Sequence, residues 1–110
     1  MLELVVPNQR VYDSRNVGQL GPNEIRTINL GPAAVNAIAA HINLTITAPV
    51  AAGHAVMFGT AQPPPTSNIN FVAAETISNA GVVQVTGGAI NVRASVACHV
   101  ILDVQAVYKP

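Results

Sequence analysis

Proline and glycine interrupt this chain too often for long helices to form. The segment LGP occurs at residues 20–22 and again at 30–32, QPPPTS covers 62–67, and TGG covers 86–88. Proline lacks a backbone donor, and glycine loses the most conformational freedom on folding, so both disfavour a helix interior. The spacing of these residues therefore favours short strands joined by turns.

The segments between these breaks alternate between apolar and polar residues. HINLTIT (41–47) places Ile42, Leu44 and Ile46 on one face of a strand, and three further segments have the same pattern: 81–87, 89–95 and 99–108. Period-two runs with turn signals every ~8–12 residues predict an antiparallel sandwich or a small barrel. We expect an all-β fold, a single antiparallel β-sandwich of jelly-roll type, in one domain over residues 1–110.

Three local features refine this expectation. The only helix candidate is AAVNAIAA (33–40), for which one short helical turn and a loop leading into the next strand both remain open. Gly87 and Gly88 lie between two alternating runs, as a tight turn with positive φ requires, which predicts a hairpin of 81–87 with 89–95. Consecutive prolines predict a rigid exposed loop over 62–68.

The last predicted strand has apolar residues on both sides. One face carries Val100, Leu102, Val104, Ala106 and Tyr108, and the opposite face carries Ile101, Asp103, Gln105 and Val107. Such a strand is typical of a central position in a sandwich or of a subunit interface.

Charge is scarce, with 9% of residues charged and a formal net charge of zero. A neutral chain lacks the basic stripe that nucleic-acid binding requires, and it has no attraction to an anionic membrane surface. Little self-repulsion opposes association. We therefore expect a homo-oligomer, with a trimer as the expected form.

The residues that could carry chemistry are scattered. Cys98 is the single cysteine, so no disulfide can form within the chain, and His41, His54 and His99 lack metal-ligand spacing. Cys98 and His99 are neighbours, and neighbours in a strand point to opposite faces. No GxSxG nucleophile elbow is present. We expect no catalytic site, no metal and no cofactor.

Residues 8–30 hold three of the five basic residues and two of the five acids. Asp13 and Arg15 lie two positions apart, so they project to the same side of an extended chain. If the Asp103 carboxylate is buried, it needs a partner. The guanidinium of Arg15 or Arg26 suits it, because a guanidinium can donate two parallel hydrogen bonds to a carboxylate. We predict that these four residues form a structural charge clasp on the last strand, whose loss would destabilise the fold strongly.

Several segments, in order and at similar spacing, resemble a known domain family. They are RVYDSR, GQLGPNEIRTINL, INLTITAPVAAGHAV, PPPTSNIN and LDVQAVY. The family is a β-sandwich domain repeated in secreted and cell-surface proteins of actinobacteria, with a pattern close to R-L-L-D-T-R, T-R-x-I-x-V, L-N-V-T, P-x-x-S-N-x-N and A-D-V-x-G-Y. The matching positions are Asp13, Arg15, Arg26, Asn43, Pro49, Gly53, Ser67, Asn68, Asn70, Asp103 and Tyr108.

The resemblance implies a non-catalytic module whose polar residues are structural, with Asn68 and Asn70 as turn-forming amides that bond local backbone. The N-terminus lacks the pattern of a signal peptide, unlike that of the family. We therefore expect a stand-alone virion protein of a phage of actinobacteria, namely a capsid decoration (minor capsid) protein that docks on the major capsid protein. The alternative is a tail-associated or cell-surface adhesin that binds host glycan.

Overall fold

A computed structural model describes residues 1–110 and confirms the all-β prediction. Its strands are β1 Leu2–Asp13, β2 Ile25–Asn29, β3 Ala39–Thr47, β4 Gly53–Phe58, β5 Ile69–Phe71, β6 Ile77–Gln84, β7 Ala89–Ala94 and β8 His99–Tyr108. Short 3₁₀ turns cover Ser14–Asn16 and Pro32–Ala34, so the helix candidate at 33–40 is one turn followed by a loop and the start of β3. No helix has the length and hydropathy that crossing a membrane requires.

The strands form two four-stranded antiparallel sheets. The first sheet has the order β1-β8-β3-β6 and the second has the order β2-β7-β4-β5. Strand β1 pairs with β8, β2 with β7, β3 with β6 and β4 with β5, as in a long hairpin that has been rolled up. This is the two-sheet arrangement of a jelly roll, as predicted.

The core lies between the two sheets and contains 23 buried residues in one cluster. Strand β3 shows how the sequence pattern produces this core: Ile42, Leu44 and Ile46 are fully buried, while the residues between them are only partly covered. The inward and outward alternation predicted for residues 41–47 is therefore confirmed.

Strand β8 lies between β1 and β3, and it contains a β-bulge. Gln105 is an extra residue there, because no residue of β3 lies opposite it. A bulge changes the phase of a strand. Val107 consequently joins the core cluster, whereas Ala106, which lies opposite the exposed Leu4, and Tyr108 turn to the outer face of the sheet. The sequence-based assignment of these last three residues to faces was wrong for this reason.

The turn at Gly87 and Gly88 forms as predicted, but the hairpin does not. Both glycines have positive φ, 59° and 77°, and Thr86 and Ala89 exchange two backbone hydrogen bonds of 3.0 and 3.1 Å. Beyond that single bridge the strands separate, since β6 pairs with β3 in the first sheet and β7 pairs with β2 and β4 in the second. The turn thus carries the chain from one sheet to the other.

Gly59 is the glycine whose replacement should show how closely β4 and β6 approach. A Cβ at this position would fall on the carbonyl oxygen of Gln84, which belongs to rigid backbone. We expect Gly59→Ala to lower the free energy of unfolding by about 1–3 kcal/mol. Gly21→Ala is the control, because its new Cβ would meet only the flexible Glu24 carboxylate at 3.5 Å. Equal urea midpoints for the two variants would contradict this close approach.

Candidate functional site

Asp103 is paired with Arg10, and not with the predicted Arg15 or Arg26. The antiparallel register of β1 and β8 sets Arg10 opposite Asp103. Arg10 Nε donates to Asp103 Oδ1 at 2.9 Å, and its Nη2 donates to Oδ2 at 3.3 Å. The Arg10 side chain is 55% exposed and that of Asp103 is 17% exposed. An exposed pair of this kind contributes little to stability, so the strong destabilisation expected from breaking a clasp here does not follow.

Asp13 and Arg15, which were expected to project to the same side, bond to each other. Arg15 Nη2 donates to Asp13 Oδ2 at 2.7 Å, while its Nε and its backbone N–H both donate to Oδ1. These hydrogen bonds from Arg15 lower the pKa of Asp13 to about 2 and raise that of Arg15. Asp13 also caps the 3₁₀ turn Ser14–Asn16. The pair therefore fixes the end of β1 and is not joined to Asp103.

Arg26 organises the loop that leads into β2. Its Nε donates to Glu24 at 2.8 Å, and its two Nη atoms donate to the carbonyls of Gly18 and Gln19 and to the hydroxyl of Tyr12. The hydrogen bond from Arg26 and that from the Gly21 backbone lower the pKa of Glu24. Glu24 lies two residues before Arg26, so the spacing argument used for Asp13 and Arg15 could have identified this pair. The predicted single clasp is thus three separate pairs.

The firmest polar link between the charged segment and β8 is Ser14, which sequence reasoning missed. Ser14 is fully buried, and its Oγ accepts from the backbone N–H of Val100 at 2.8 Å. The same Oγ lies 2.9 Å from His99 Nδ1. A buried hydroxyl with two partners joins the two segments more effectively than an exposed ion pair. A lone serine in a polar segment gives no sequence signal for this role.

The two predicted turn-forming amides have different roles from those expected. Asn68 Oδ1 accepts from the backbone N–H of Met57 at 2.6 Å, and Asn79 donates to the carbonyl of Asn68 at 2.7 Å. The Asn68 side chain therefore bonds backbone, but that of β4 and not that of its own turn, and it extends the pairing with β4 to the residue just before β5 begins. The side chain of Asn70 bonds no backbone group, and its Oδ1 accepts from the Ser67 hydroxyl at 3.2 Å.

The outer face of the first sheet has an apolar half, hereafter the apolar face. It is made by two rows of residues that run across all four strands: Leu4, Ala106, His41 and Val82, then Leu2, Tyr108, Ala39 and Gln84. Leu4 is 71% exposed and Val82 59%, and Val6 extends the face along β1 at 82%. Neither row contains a charged residue. The other half of this outer face carries the Arg10–Asp103 pair.

The outer face of the second sheet carries a polar pocket, hereafter the Arg93 pocket. The loop at 59–68 lies over this face, where the side-chain amide nitrogen of Asn91 donates to the carbonyl of Thr60 at 3.1 Å. The pocket lies between loop residues 64–67 and four side chains of the sheet, His54, Asn70, Arg93 and Ser95, and has a volume of about 320 Å³. Val56 is its only aliphatic lining residue apart from two prolines.

No group of three His, Cys, Asp or Glu side chains lies where it could hold a metal ion. Cys98 is buried, and that burial raises the pKa of its thiol to about 11, so the thiolate that acts as a nucleophile is suppressed. The two candidate sites are therefore the apolar face and the Arg93 pocket.

No family model, no curated protein and no solved structure matches this chain.

Ser14→Ala tests the link between the charged segment and β8. The substitution leaves the buried N–H of Val100 without an acceptor, so we expect a loss of about 1–3 kcal/mol in the free energy of unfolding. Ser78→Ala, an exposed serine on β6, is the matched control and should stay within about 0.5 kcal/mol of the parent. Urea denaturation measures both. Parent-like stability of Ser14→Ala would show that Ser14 is dispensable.

Asp13→Asn tests the pair at the end of β1. The pKa of Asp13 is lowered from 3.8 to about 2, so the pair stabilises the fold above the ordinary pKa and this contribution is lost as pH falls towards 2. We expect the stability of the parent to fall more steeply over that window than the stability of Asp13→Asn. Arg15→Gln removes the guanidinium donors but keeps the backbone N–H donor, so it should flatten the dependence of stability on pH over the same window in part. Thermal melts from pH 5 to about 2 compare the three proteins. Equal slopes of melting temperature against pH for all three would show that the Asp13–Arg15 pair does not cause this loss of stability.

Proposed function

We propose that this protein is a non-enzymatic structural protein that assembles through its apolar face. In the specific form that we propose, it is a capsid decoration protein of a phage of actinobacteria, located on the virion. Three copies associate, and the trimer docks on the major capsid protein and reinforces the shell.

The observation that carries the proposal is the pair of uncharged rows on the apolar face. Leu4 and Val6 expose most of their surface, and clusters of exposed large apolar side chains mark interaction sites on soluble proteins. An ion pair lies at this end of β1 and β8: Glu3, the second residue of β1, pairs with Lys109, which directly follows β8. With a formal net charge of zero, two copies meet here without electrostatic repulsion.

The virion setting is supported by two weaker arguments. Jelly rolls occur in viral capsid domains, although they also occur in lectins, so this is an analogy at the level of fold. The sequence resemblance to the actinobacterial sandwich domain, together with the scarcity of charge, favours a module that works by packing against other proteins.

The second candidate function is an adhesin module that binds host glycan, and the Arg93 pocket favours it. Sugar sites often stack ring faces on exposed aromatic side chains. Here Phe58 and Phe71 are buried, and Tyr12 and Tyr108 are partly covered. No aromatic ring is free for stacking, which is why we rank assembly first.

Leu4→Glu tests assembly through the apolar face. The substitution places a carboxylate at the β1 end of a row that contains no lysine or arginine, and burying it against another copy would be costly. We expect the parent to sediment at three times its 11.3 kDa chain mass and Leu4→Glu to sediment as a monomer. Val50→Glu, at a 64% exposed valine outside this face, is the control and should remain a trimer.

A parent protein that stays monomeric at all concentrations in analytical ultracentrifugation would contradict self-assembly, as would a trimeric Leu4→Glu. The virion setting has its own test in the genes beside the coding sequence. A neighbouring major capsid gene supports the shell position, and a tail-fibre cluster contradicts it.

A further inference from the structure

We propose that the Arg93 pocket binds an acidic saccharide, with the carboxylate of a hexuronic acid residue on the Arg93 guanidinium. This inference concerns the second sheet, on the opposite side of the molecule from the apolar face, and does not rest on the assembly role.

The first observation is that Arg93 lacks an anionic partner. The other four basic side chains, those of Arg10, Arg15, Arg26 and Lys109, each form an ion pair, whereas Arg93 forms none. Its only protein acceptor is the neutral side-chain oxygen of Asn23, at 2.9 Å from Nη2. A guanidinium has five N–H donors. The bond to Asn23 orients the group and leaves the other donors without protein acceptors.

The second observation is the placement of Arg93 within a concave site. In the sheet Arg93 lies opposite Val56, and two residues away along β4 His54 lies opposite Asn70. Arg93 is partly buried, and the pocket contains no carboxylate that could neutralise it. A partly desolvated arginine among neutral groups is a site for an oxyanion, and its planar fork matches a carboxylate best.

The third observation identifies the rest of the ligand. Besides Arg93, the lining consists of hydroxyl, amide and imidazole groups, with Val56 as the only aliphatic side chain other than two prolines. The Ser95 hydroxyl accepts from the His54 backbone N–H and can still donate, and the Asn70 amide nitrogen is free because Ser67 bonds the amide oxygen. These groups suit a polyhydroxylated ligand and not an apolar acid.

The size of the pocket agrees with one sugar ring. Its volume of about 320 Å³ lies at the lower end of the range of small-molecule sites. Without an exposed aromatic ring, recognition depends on the charge and the hydroxyl groups. A neutral sugar would leave the Arg93 guanidinium without its anion, so the site should discriminate against it.

The test uses three probes of similar size: D-glucuronate, glucose and cyclohexanecarboxylate. Titration followed by amide NMR shifts should show glucuronate binding, with shifts confined to residues near 54, 64–70 and 93–95. Glucose, which lacks the carboxylate, and cyclohexanecarboxylate, which lacks the hydroxyls, should each bind about tenfold more weakly or worse. Equal binding of glucuronate and either comparison probe, or shifts elsewhere, would overturn the assignment.

Two variants locate the site on Arg93. Arg93→Gln should weaken glucuronate binding by about tenfold or more, while Lys109→Gln, which removes the same charge elsewhere, should not. Since Arg93→Gln also alters the contact with Asn23, a second pair keeps the test independent of folding. Ser67→Glu places a carboxylate at an exposed lining position and should abolish glucuronate binding, whereas Ser67→Gln, which has a similar size and no charge, should bind glucuronate more tightly than Ser67→Glu does. Parent-like binding by Ser67→Glu would overturn the proposal.

Leu4→Glu separates this proposal from assembly. If both proposals hold, the monomeric Leu4→Glu variant binds glucuronate as the parent does. If self-assembly fails, the binding result still stands alone, because the Arg93 pocket draws all its lining from one chain.

Discussion

The structure depends on β8, which is the only strand bonded to β1 and also the central neighbour of β3. Its inner face supplies Val100, Leu102 and Val104 to the core. The buried Ser14 hydroxyl accepts from the start of this strand, and the Leu20–Cys98 bridge holds the chain just before it. If β8 were displaced, β1 would lose its pairing and the first sheet would lose its centre.

The few charges of this chain are used mainly to fix local structure. Four ion pairs account for all but two of the ten charged side chains, and each pair joins residues two positions apart or links β1 with β8 or the residue that follows β8. Of the remaining two, Glu75 accepts from the backbone N–H of Val72. Arg93 is left with one neutral acceptor. In a protein with so little charge, an arginine without an anionic partner distinguishes the outer face of the second sheet from that of the first.

The two outer faces offer different chemistry because different segments cover them. The proline loop lies over the second sheet, buries Val56 and Phe58 outside the main core, and encloses a polar pocket. Nothing within the chain covers the apolar half of the first sheet. The outer face of the second sheet suits a small polar ligand, and the apolar face of the first sheet suits another protein. Assembly and ligand binding can therefore coexist on one small sandwich.

The sequence by itself determined the all-β class, the faces of β3, the tight turn at Gly87 and Gly88, and the projection of Asp13 and Arg15 to the same side of the chain. Each of these follows from backbone chemistry or from spacing over a few residues. Only the tertiary structure decided that β6 and β7 lie in different sheets, that Gln105 shifts the phase of β8, and that Asp103 meets Arg10. A period-two pattern specifies which side chains turn inwards. Strand partners and register arise from pairings between residues as far apart as Leu2 and Tyr108, which no local pattern encodes.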